Sequence, residues 1–142
     1  MRPVEPPIGV TIARVAKELS RAFDDELAEA GGSTPVWQIL IALKSGTATT
    51  QRSLGAELGI RQPTVTHHLA AMESSGLLVR TRDTTDKRAQ RIELTDQGEA
   101  LFHALREVAS RFDRRLRRSI SEADVATVRR LLAAMEKNAR RT

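Results

Sequence analysis

One run of elements in residues 51–95 constrains the fold more than any other feature of this chain. It consists of a short helix, a turn, a second helix and a basic hairpin. The first helix is expected to end at Gly59, a residue suited to helix C-termini. The second is expected to begin at Gln62-Pro63, because the fixed φ of proline suits a first helical turn. Two strands joined by a turn at 83–87 follow. We therefore predict a small domain that presents an exposed helix and a cationic loop on one side.

Helical periodicity continues on the N-terminal side of this unit. Apolar side chains recur at three- and four-residue steps from about 8 to 30, which predicts a helix with one buried stripe. That stripe consists of Ile12, Val15, Ala16, Leu19, Phe23 and Leu27. Thr34 is predicted to cap a second helix, with Pro35 at its first position. Its apolar side consists of Trp37, Leu40, Ile41 and Leu43. Thr49 or Thr50 is predicted to cap the third.

Two long helices follow the hairpin, whose strands are predicted at 77–82 and 89–94. Thr95 is predicted to cap the fifth helix and Ser121 the sixth, since hydroxyl oxygens accept hydrogen bonds from first-turn N–H groups. The fifth carries Leu101, Leu105, Val108, Phe112 and Leu116; the sixth carries Val125, Val128, Leu131, Leu132 and Met135. The predicted fold class is therefore mainly α with a small β-hairpin.

The first, fifth and sixth helices are amphipathic and lie outside the helix-turn-helix unit. One chain offers no large sheet or lobe that could bury three such stripes, so a second copy would cover them most economically. We predict a homodimer; packing of these helices on their own chain in a monomer is the alternative. The expected division is a helical dimerisation lobe at 1–33 and 95–142 and a DNA-binding domain at 34–94.

Composition excludes several kinds of site and location. The chain has no Cys, which excludes disulfides, thiolate zinc sites and thiol redox sensing. Aromatic residues make up only 3% and Tyr is absent, so base-stacking platforms for single strands are not expected. No run of 18 apolar residues and no signal pattern occur, so we expect a cytoplasmic protein without membrane contact. Adjacent His67 and His68 diverge by about 100° on a helix, so no metal site is expected.

Charge is concentrated in two places. The formal net charge of +5 favours an anionic partner but does not separate nucleic acid from an anionic membrane. Residues 77–94 hold five cations and three anions, and residues 111–118 hold five arginines. The arginine run is either a solvated helix face or a contact for phosphate or an anionic effector.

Two motifs at a fixed distance resemble the MarR family of winged-helix regulators. DKRAQRIELTDQG at 86–98 fits the family pattern of Asp-x-Arg in the wing, an apolar strand and Leu-Thr-x-x-Gly at the next helix. IRQPTV at 60–65 leads to ESSGL at 73–77. The element order matches over nearly the whole length. The resemblance implies a winged helix-turn-helix with a long-helix dimerisation lobe, acting as a homodimer on a pseudo-palindromic operator, usually as a repressor.

The resemblance also implies a small, often phenolic, anion as effector, bound between the dimerisation lobe and the winged domain. A small aromatic acid is the expected ligand, and no cofactor is expected. By analogy with the family, the predicted pocket consists of Trp37, Phe23, Phe102 and His103. A core position for Trp37 is the alternative. The chain departs from the family at His67, where many members have Arg.

Double-stranded DNA is the predicted partner of the second helix of the motif. Base contacts are assigned to its start and outer side, at Gln62, Pro63, Thr64, Thr66 and His67. His68 lies near the edge of the core face. It is either a packed, half-buried residue or a DNA contact. The alternative is a merely solvated helix face.

The hairpin is predicted to reach the adjacent minor groove. Arg88 is the expected groove residue, because negative potential is strongest there, and Asp86 is expected to hold its guanidinium. Arg80, Arg82, Lys87 and Arg91 are expected to neutralise phosphates. An exposed ion pair in a solvated turn is the alternative for Arg88 and Asp86.

These observations predict a sequence-specific transcriptional regulator of bacterial or archaeal type, associated with the nucleoid. An architectural DNA-binding protein of the same fold is the alternative, and a protein–protein adaptor a further one. An enzyme is not expected, because no nucleophile elbow or Gly-rich phosphate loop joins the Ser, His and Asp residues.

Overall fold

The computed structural model describes residues 4–82 and 90–141. These residues form six helices and one antiparallel two-stranded sheet, which confirms the predicted mainly helical class. In chain order the elements are α1 (Ile8–Glu29), α2 (Thr34–Ser45), α3 (Gln51–Leu58), α4 (Gln62–Ser74), β1 (Leu78–Arg82), β2 (Gln90–Leu94), α5 (Asp96–Leu116) and α6 (Glu122–Ala139).

Hydroxyl side chains cap three helices as predicted. Thr50 accepts a hydrogen bond from the Ser53 backbone N–H at 3.1 Å. Thr95 accepts one from Gly98 at 3.1 Å, and Ser121 one from Asp124 at 3.1 Å. Each bond satisfies an N–H group that the helix itself leaves without a partner.

The predicted cap of α2 is wrong by one residue. Ser33, not Thr34, accepts the hydrogen bond from Val36, at 3.3 Å. Thr34 is the first residue of the helix, and its hydroxyl and backbone N–H both donate to Asp24 of α1. The sequence has two neighbouring hydroxyl side chains, Ser33 and Thr34, that could cap this helix. Thr34 is hydrogen-bonded to the Asp24 carboxylate of α1, and Ser33 is the residue that caps α2.

One hydrophobic core contains side chains from the first five helices and from both strands. Leu27, Leu40, Leu54, Leu69 and Leu105 have no exposed surface. Removing a leucine side chain from water contributes roughly 1.5–3 kcal/mol, so these positions dominate the stability of the domain. The predicted inward face of α4, formed by Val65, Leu69 and Met72, is confirmed.

Two predicted apolar faces differ from the structure. On α2, Ile41 is 40% exposed and Ile39, which the periodicity passed over, is buried. The helix contacts α1, α3, α4 and β2, so its buried surface is wider than one stripe. On α1 only Leu27 is buried, and Val15 is 39% exposed. The prediction that α1 buries a long apolar stripe is therefore wrong for a single chain.

The hairpin is tied to the start of α3. Leu78 pairs with Leu94 and Arg82 pairs with Gln90, which agrees with the predicted strands to within one residue in the described part of the chain. The Ile92 N–H donates to the Thr49 carbonyl at 2.9 Å, next to a bridge between Thr50 and Arg91. Because Thr50 also caps α3, the hairpin is fixed with respect to the helix-turn-helix.

The junction between α4 and α5 depends on a close backbone approach. The Thr95 hydroxyl donates to the Gly76 carbonyl, and the Thr95 N–H donates to the Leu77 carbonyl at 3.1 Å. A Cβ atom on Gly98 would overlap that same Leu77 oxygen and lie 3.2 Å from Leu94 Cδ2. The Leu-Thr-x-x-Gly motif therefore has a structural reason: its threonine and glycine bring the end of α4 against the start of α5.

The chain separates into two compact units, Met1–Ala109 and Ser110–Thr142. The second holds the end of α5 and α6, and no described residue of α6 is buried. Exposed apolar side chains on α6 are Val128 (52%), Leu131 (41%), Leu132 (45%) and Met135 (37%). On α5, in contrast, Leu105 and Phe112 are buried, although Leu116 is 40% exposed. No helix in residues 4–82 and 90–141 is long and apolar enough to cross a membrane.

Candidate nucleic-acid interface

The helix-turn-helix is built from α3 and α4, joined by a tight turn. Gly59 ends α3 with φ 65°, a left-handed conformation that glycine adopts without strain. Gly55 lies where the two helices come closest: a Cβ there would overlap the Gln62 amide and lie 3.0 Å from the Ile60 carbonyl oxygen. The missing side chain at position 55 thus lets the side chain of Gln62 lie against α3.

The outer face of α4 carries the predicted base-contact residues. Gln62, Pro63, Thr64, Thr66 and His67 are all exposed. His68 is half-buried, and its ring meets that of its neighbour edge-on, with 5.7 Å between centroids. The structure therefore brings the five predicted residues together on one accessible surface. Their role as DNA contacts stays a prediction.

The Thr66 hydroxyl already has two partners within the protein. It donates to the Gln62 carbonyl at 2.9 Å and accepts from the Gln51 amide at 2.6 Å. Gln51 belongs to the first turn of α3, so this bond joins the two helices of the motif. Sequence periodicity predicted the exposure of Thr66 and did not predict this bond.

Arg80 also has a partner that the sequence did not predict. Its guanidinium meets the Glu73 carboxylate of α4 in a fork, with Nε to Oε2 at 3.1 Å and Nη2 to Oε1 at 3.3 Å. Hydrogen bonds from the Arg80 side chain hold the pKa of Glu73 below its ordinary value. Arg80 thus links β1 to α4, and its predicted part in neutralising phosphates stays a prediction.

We expect the Glu73–Arg80 link to make stability depend on pH. The lowered pKa means that stabilisation is fully present above the unfolded value of 4.5 and is lost as pH falls through the folded value. Replacing Glu73 with Gln should lower the thermal midpoint at pH 7 and have little effect at pH 3. Melting curves of both proteins at the two pH values test this. An equal difference at both values would contradict it.

The remaining predicted wing residues divide into two groups. Arg82, at the end of β1, is exposed. Asp86, Lys87 and Arg88 lie outside the described residues. On β2, Arg91 Nε lies 3.6 Å from Glu93 Oε1, and both side chains are more than half exposed. Such a pair is weak in water, so it leaves Arg91 able to turn toward a phosphate.

Three of the four predicted effector-pocket residues lie side by side. The Trp37 and Phe102 rings stack with centroids 5.6 Å apart, and His103 meets Phe102 edge-on at 5.3 Å. Phe23 packs, partly buried, against the same core. Lys44 Nζ lies 5.9 Å from the centre of the Phe102 ring and 2.6 Å from the Glu99 carboxylate. An aromatic cluster with an adjacent cation is chemically suited to an aromatic anion, and its use as a pocket stays a prediction.

The fold matches solved structures of transcriptional regulators. CouR bound to a 23-mer DNA duplex is 25% identical, with a TM-score of 0.82 and 92% of each chain covered. A cysteine-to-serine mutant of MarR from E. coli, complexed with operator DNA, is 22% identical, with a TM-score of 0.81, 91% of this chain and 93% of that chain covered. The organohalide-sensing regulator RdhR in its 2,4-dichlorophenol-bound form is 22% identical, with a TM-score of 0.79, 98% and 89% covered.

The sequence places the chain among the same proteins. Residues 31–89, which span α2 to the hairpin, match the sequence model of the MarR family. The Leu-Thr-x-x-Gly motif, whose structural reason is given above, continues the resemblance into α5. The six helices and the hairpin occur in the order of that fold. Over residues 31–89 the chain matches the MarR family, and its fold is that of winged helix-turn-helix regulators of this family.

Proposed function

We propose that the protein is a homodimeric, sequence-specific regulator that binds double-stranded DNA and represses transcription until a small aromatic acid releases it. The observation that carries this proposal is the accessible face of α4, presented beside the hairpin in a fold that also occurs in regulators solved with bound DNA. In this proposal residues 34–94 bind DNA. Residues 1–33 and 95–142 form the dimerisation lobe.

The chemistry of α4 supports major-groove binding. Recognition helices present their N-terminal residues to base edges, and the five exposed residues assigned to base contacts lie in the first two turns of α4. Gln62 can pair with adenine, Thr64 can bond to several bases, and the ring of Pro63 can rest on a thymine methyl group. Arg61, at the N-cap, makes no side-chain cap bond. The first turn therefore keeps donors and a positive dipole end for a phosphate.

The hairpin supplies the second contact in this proposal. Arg82 and Arg91 are exposed on its two strands, and the bonds to Thr49 and Glu73 fix its direction relative to α4. A fixed cationic hairpin beside a recognition helix would reach the adjacent minor groove. Arg88, with Asp86 and Lys87 beside it, is the residue that we assign to the groove itself, on the strength of the family motif alone.

Exposed apolar surface supports the homodimer. Ile8 and Val10 on α1 are 61% and 57% exposed, and four apolar side chains of α6 are 37–52% exposed. Apolar side chains exposed at helical spacing on each of these helices are typical of an interface. We therefore assign the interface to α1, α6 and the side of α5 that carries Leu116. Leu105 and Phe112 are buried within their own chain, so substitutions at these two positions would not test the dimer interface.

An effector site is supported by the stacked aromatic cluster. Trp37 and Phe102 offer flat apolar surfaces and Lys44 offers a cation at its edge. A related regulator has been solved with 2,4-dichlorophenol bound. An aromatic acid would reduce operator affinity by preferring a dimer in which the recognition helices are misplaced.

Selection of bound sequences from a random duplex library tests the proposed function. We expect a discrete pseudo-palindrome whose half-site centres lie about 34–36 Å apart. Uniform coating of all sequences would favour the architectural alternative, and no salt-dependent binding would favour the adaptor. The selected duplex then serves to screen aromatic acids for release.

His67 should contribute to recognition because its side chain lies on the exposed face of α4. We expect His67→Ala to weaken binding to the selected duplex by about tenfold, the scale of one base or phosphate contact. His103→Ala removes the same exposed side chain from α5 and is the matched control, with unchanged affinity expected in the absence of effector. Fluorescence anisotropy at fixed salt measures both. Equal affinities for parent and His67→Ala would remove His67 from the interface.

A further inference from the structure

Four arginine side chains line one open groove near the end of α5. They are Arg111, Arg114, Arg115 and Arg118, and the groove has a volume of about 430 Å³. All four belong to the compact unit Ser110–Thr142. Small-molecule sites usually have volumes of about 300–1,000 Å³, so the groove is large enough for a ligand of that kind. It involves none of the residues assigned above to DNA or to the aromatic effector.

The sequence itself places these side chains together. Spacings of three, four and seven residues bring them onto one side of the helix and its last turn. The seven steps correspond to roughly 10 Å of helix, at about 1.5 Å per residue. No lysine occurs in residues 110–118, so the cationic surface is formed by guanidinium groups alone.

Nearby carboxylates are engaged by a fifth arginine. Arg117 Nε lies 2.9 Å from Asp113 Oδ2, and Arg117 Nη1 lies 3.7 Å from Glu122 Oε2. The Arg115 guanidinium carbon lies 5.1 Å from the centre of the Phe112 ring, which holds that side chain against the helix. Asp113 and Glu122 are therefore engaged with Arg117, which does not line the groove. A bound anion would relieve the repulsion among Arg111, Arg114 and Arg118.

The helix dipole explains only part of this arrangement. Cations are favourable in the last turn of a helix, and this accounts for Arg114 and Arg115. Arg111 lies about one turn earlier, beyond the range of that effect. A solvated charged face needs no groove, whereas these side chains line an open one.

We propose that this groove binds a small ligand with several phosphate groups. Guanidinium groups form paired hydrogen bonds with phosphate oxygens, and arginine is preferred to lysine where that geometry matters. Several such groups spread over roughly 10 Å suit a chain of linked phosphates better than a single carboxylate. The phosphates belong to a free polyphosphate or to a nucleotide-like molecule that carries one.

Titration calorimetry with inorganic triphosphate, without DNA and at 150 mM salt, tests the proposal. We expect saturable binding of about one triphosphate per chain. The triple variant Arg111→Gln, Arg114→Gln, Arg118→Gln should bind at least tenfold more weakly. Adenosine triphosphate, titrated in parallel, shows whether a nucleoside attached to the phosphates adds affinity. Because DNA is absent, the result does not depend on the proposed operator binding.

The matched control removes the same charge elsewhere in the same unit. Arg129→Gln, Arg130→Gln, Arg141→Gln changes three exposed arginines of α6 and the residues beyond it, and its affinity should stay within twofold of the parent. Equal weakening in both triple variants would mean that only net charge matters. Citrate, a tricarboxylate, should bind at least tenfold more weakly than triphosphate. Equal citrate affinity would overturn the phosphate assignment.

Two other occupants would also overturn the proposal. If sedimentation shows that only the groove variant changes its oligomeric state, the groove binds a second copy of the chain. If triphosphate does not saturate, while the groove variant alone loses affinity for random duplex DNA, the arginines bind the DNA backbone.

Discussion

A chain in which Leu131 and Leu132 are both replaced by glutamate is expected to be monomeric and to bind the selected duplex at least about a hundredfold more weakly. Both side chains are more than 40% exposed on α6 and belong to its apolar side. In a dimer interface, two carboxylates per chain would lose water without gaining a partner, which is strongly unfavourable. A monomer would also contact one half-site only, and linked binding of two half-sites contributes on the order of 100- to 10,000-fold in affinity.

The matched control places the same two charges on the opposite side of the same helix. Ala126 and Ala133 are exposed and lie roughly 140–160° from the apolar side, at about 100° per residue. Ala126→Glu, Ala133→Glu should therefore remain dimeric and bind DNA with nearly parental affinity. Sedimentation velocity and anisotropy measure the two quantities. A Leu131/Leu132 variant that stays dimeric would exclude α6 from the interface.

Periodicity predicted most of the fold because the pattern of a helix within its own chain is local. The inward face of α4, the caps at Thr50 and Ser121, and the strand limits all follow from spacings of a few residues. The prediction failed where burial depends on several neighbours. Ile41 and Ile39 differ little in the sequence pattern, and only the contacts of α2 with four other elements select the second.

The apolar side of α1 shows a different limit. Its residues repeat at helical spacing, and the sequence alone cannot distinguish a face buried in one chain from a face left for a partner. In the part of the chain that the structure describes, no residue in the first half of α1 and none in α6 is buried. The pattern therefore predicted amphipathic helices correctly and gave no information about what covers them.

The candidate site was predicted as a set of surface residues, whereas its internal connections were not. Exposure of His67 follows from its angle relative to Val65 and Leu69. The hydrogen bond from Gln51 to Thr66 joins residues that are 15 positions apart, and the Glu73–Arg80 fork joins residues that are 7 positions apart. Helical or strand periodicity does not predict such pairs. These bonds connect α3, α4 and β1, so they fix the position of the exposed face of α4.

Replacement of Gly98 by alanine is expected to destabilise the fold by about 3 kcal/mol, near the upper end for an overpacked site. The added methyl group would overlap the Leu77 carbonyl oxygen, which cannot easily move because it accepts the Thr95 N–H at 3.1 Å. Thr95 in turn caps α5 and donates to the Gly76 carbonyl, so relief of the clash must break one of these bonds. Denaturant unfolding monitored by circular dichroism measures the loss.

Gly9→Ala is the matched control, because a Cβ atom at that position of α1 meets no atom within 4 Å. That substitution should leave stability unchanged or raise it by up to about 1 kcal/mol, since alanine is the better helix former. If Gly98→Ala is as stable as Gly9→Ala, the backbone of α5 can shift away from Leu77 at little cost. If instead it loses stability and the folded fraction also loses operator affinity, the junction both supports the domain and positions α4. The second result would give the glycine of the Leu-Thr-x-x-Gly motif a function in DNA binding although it lies outside the proposed DNA-contact residues of α4.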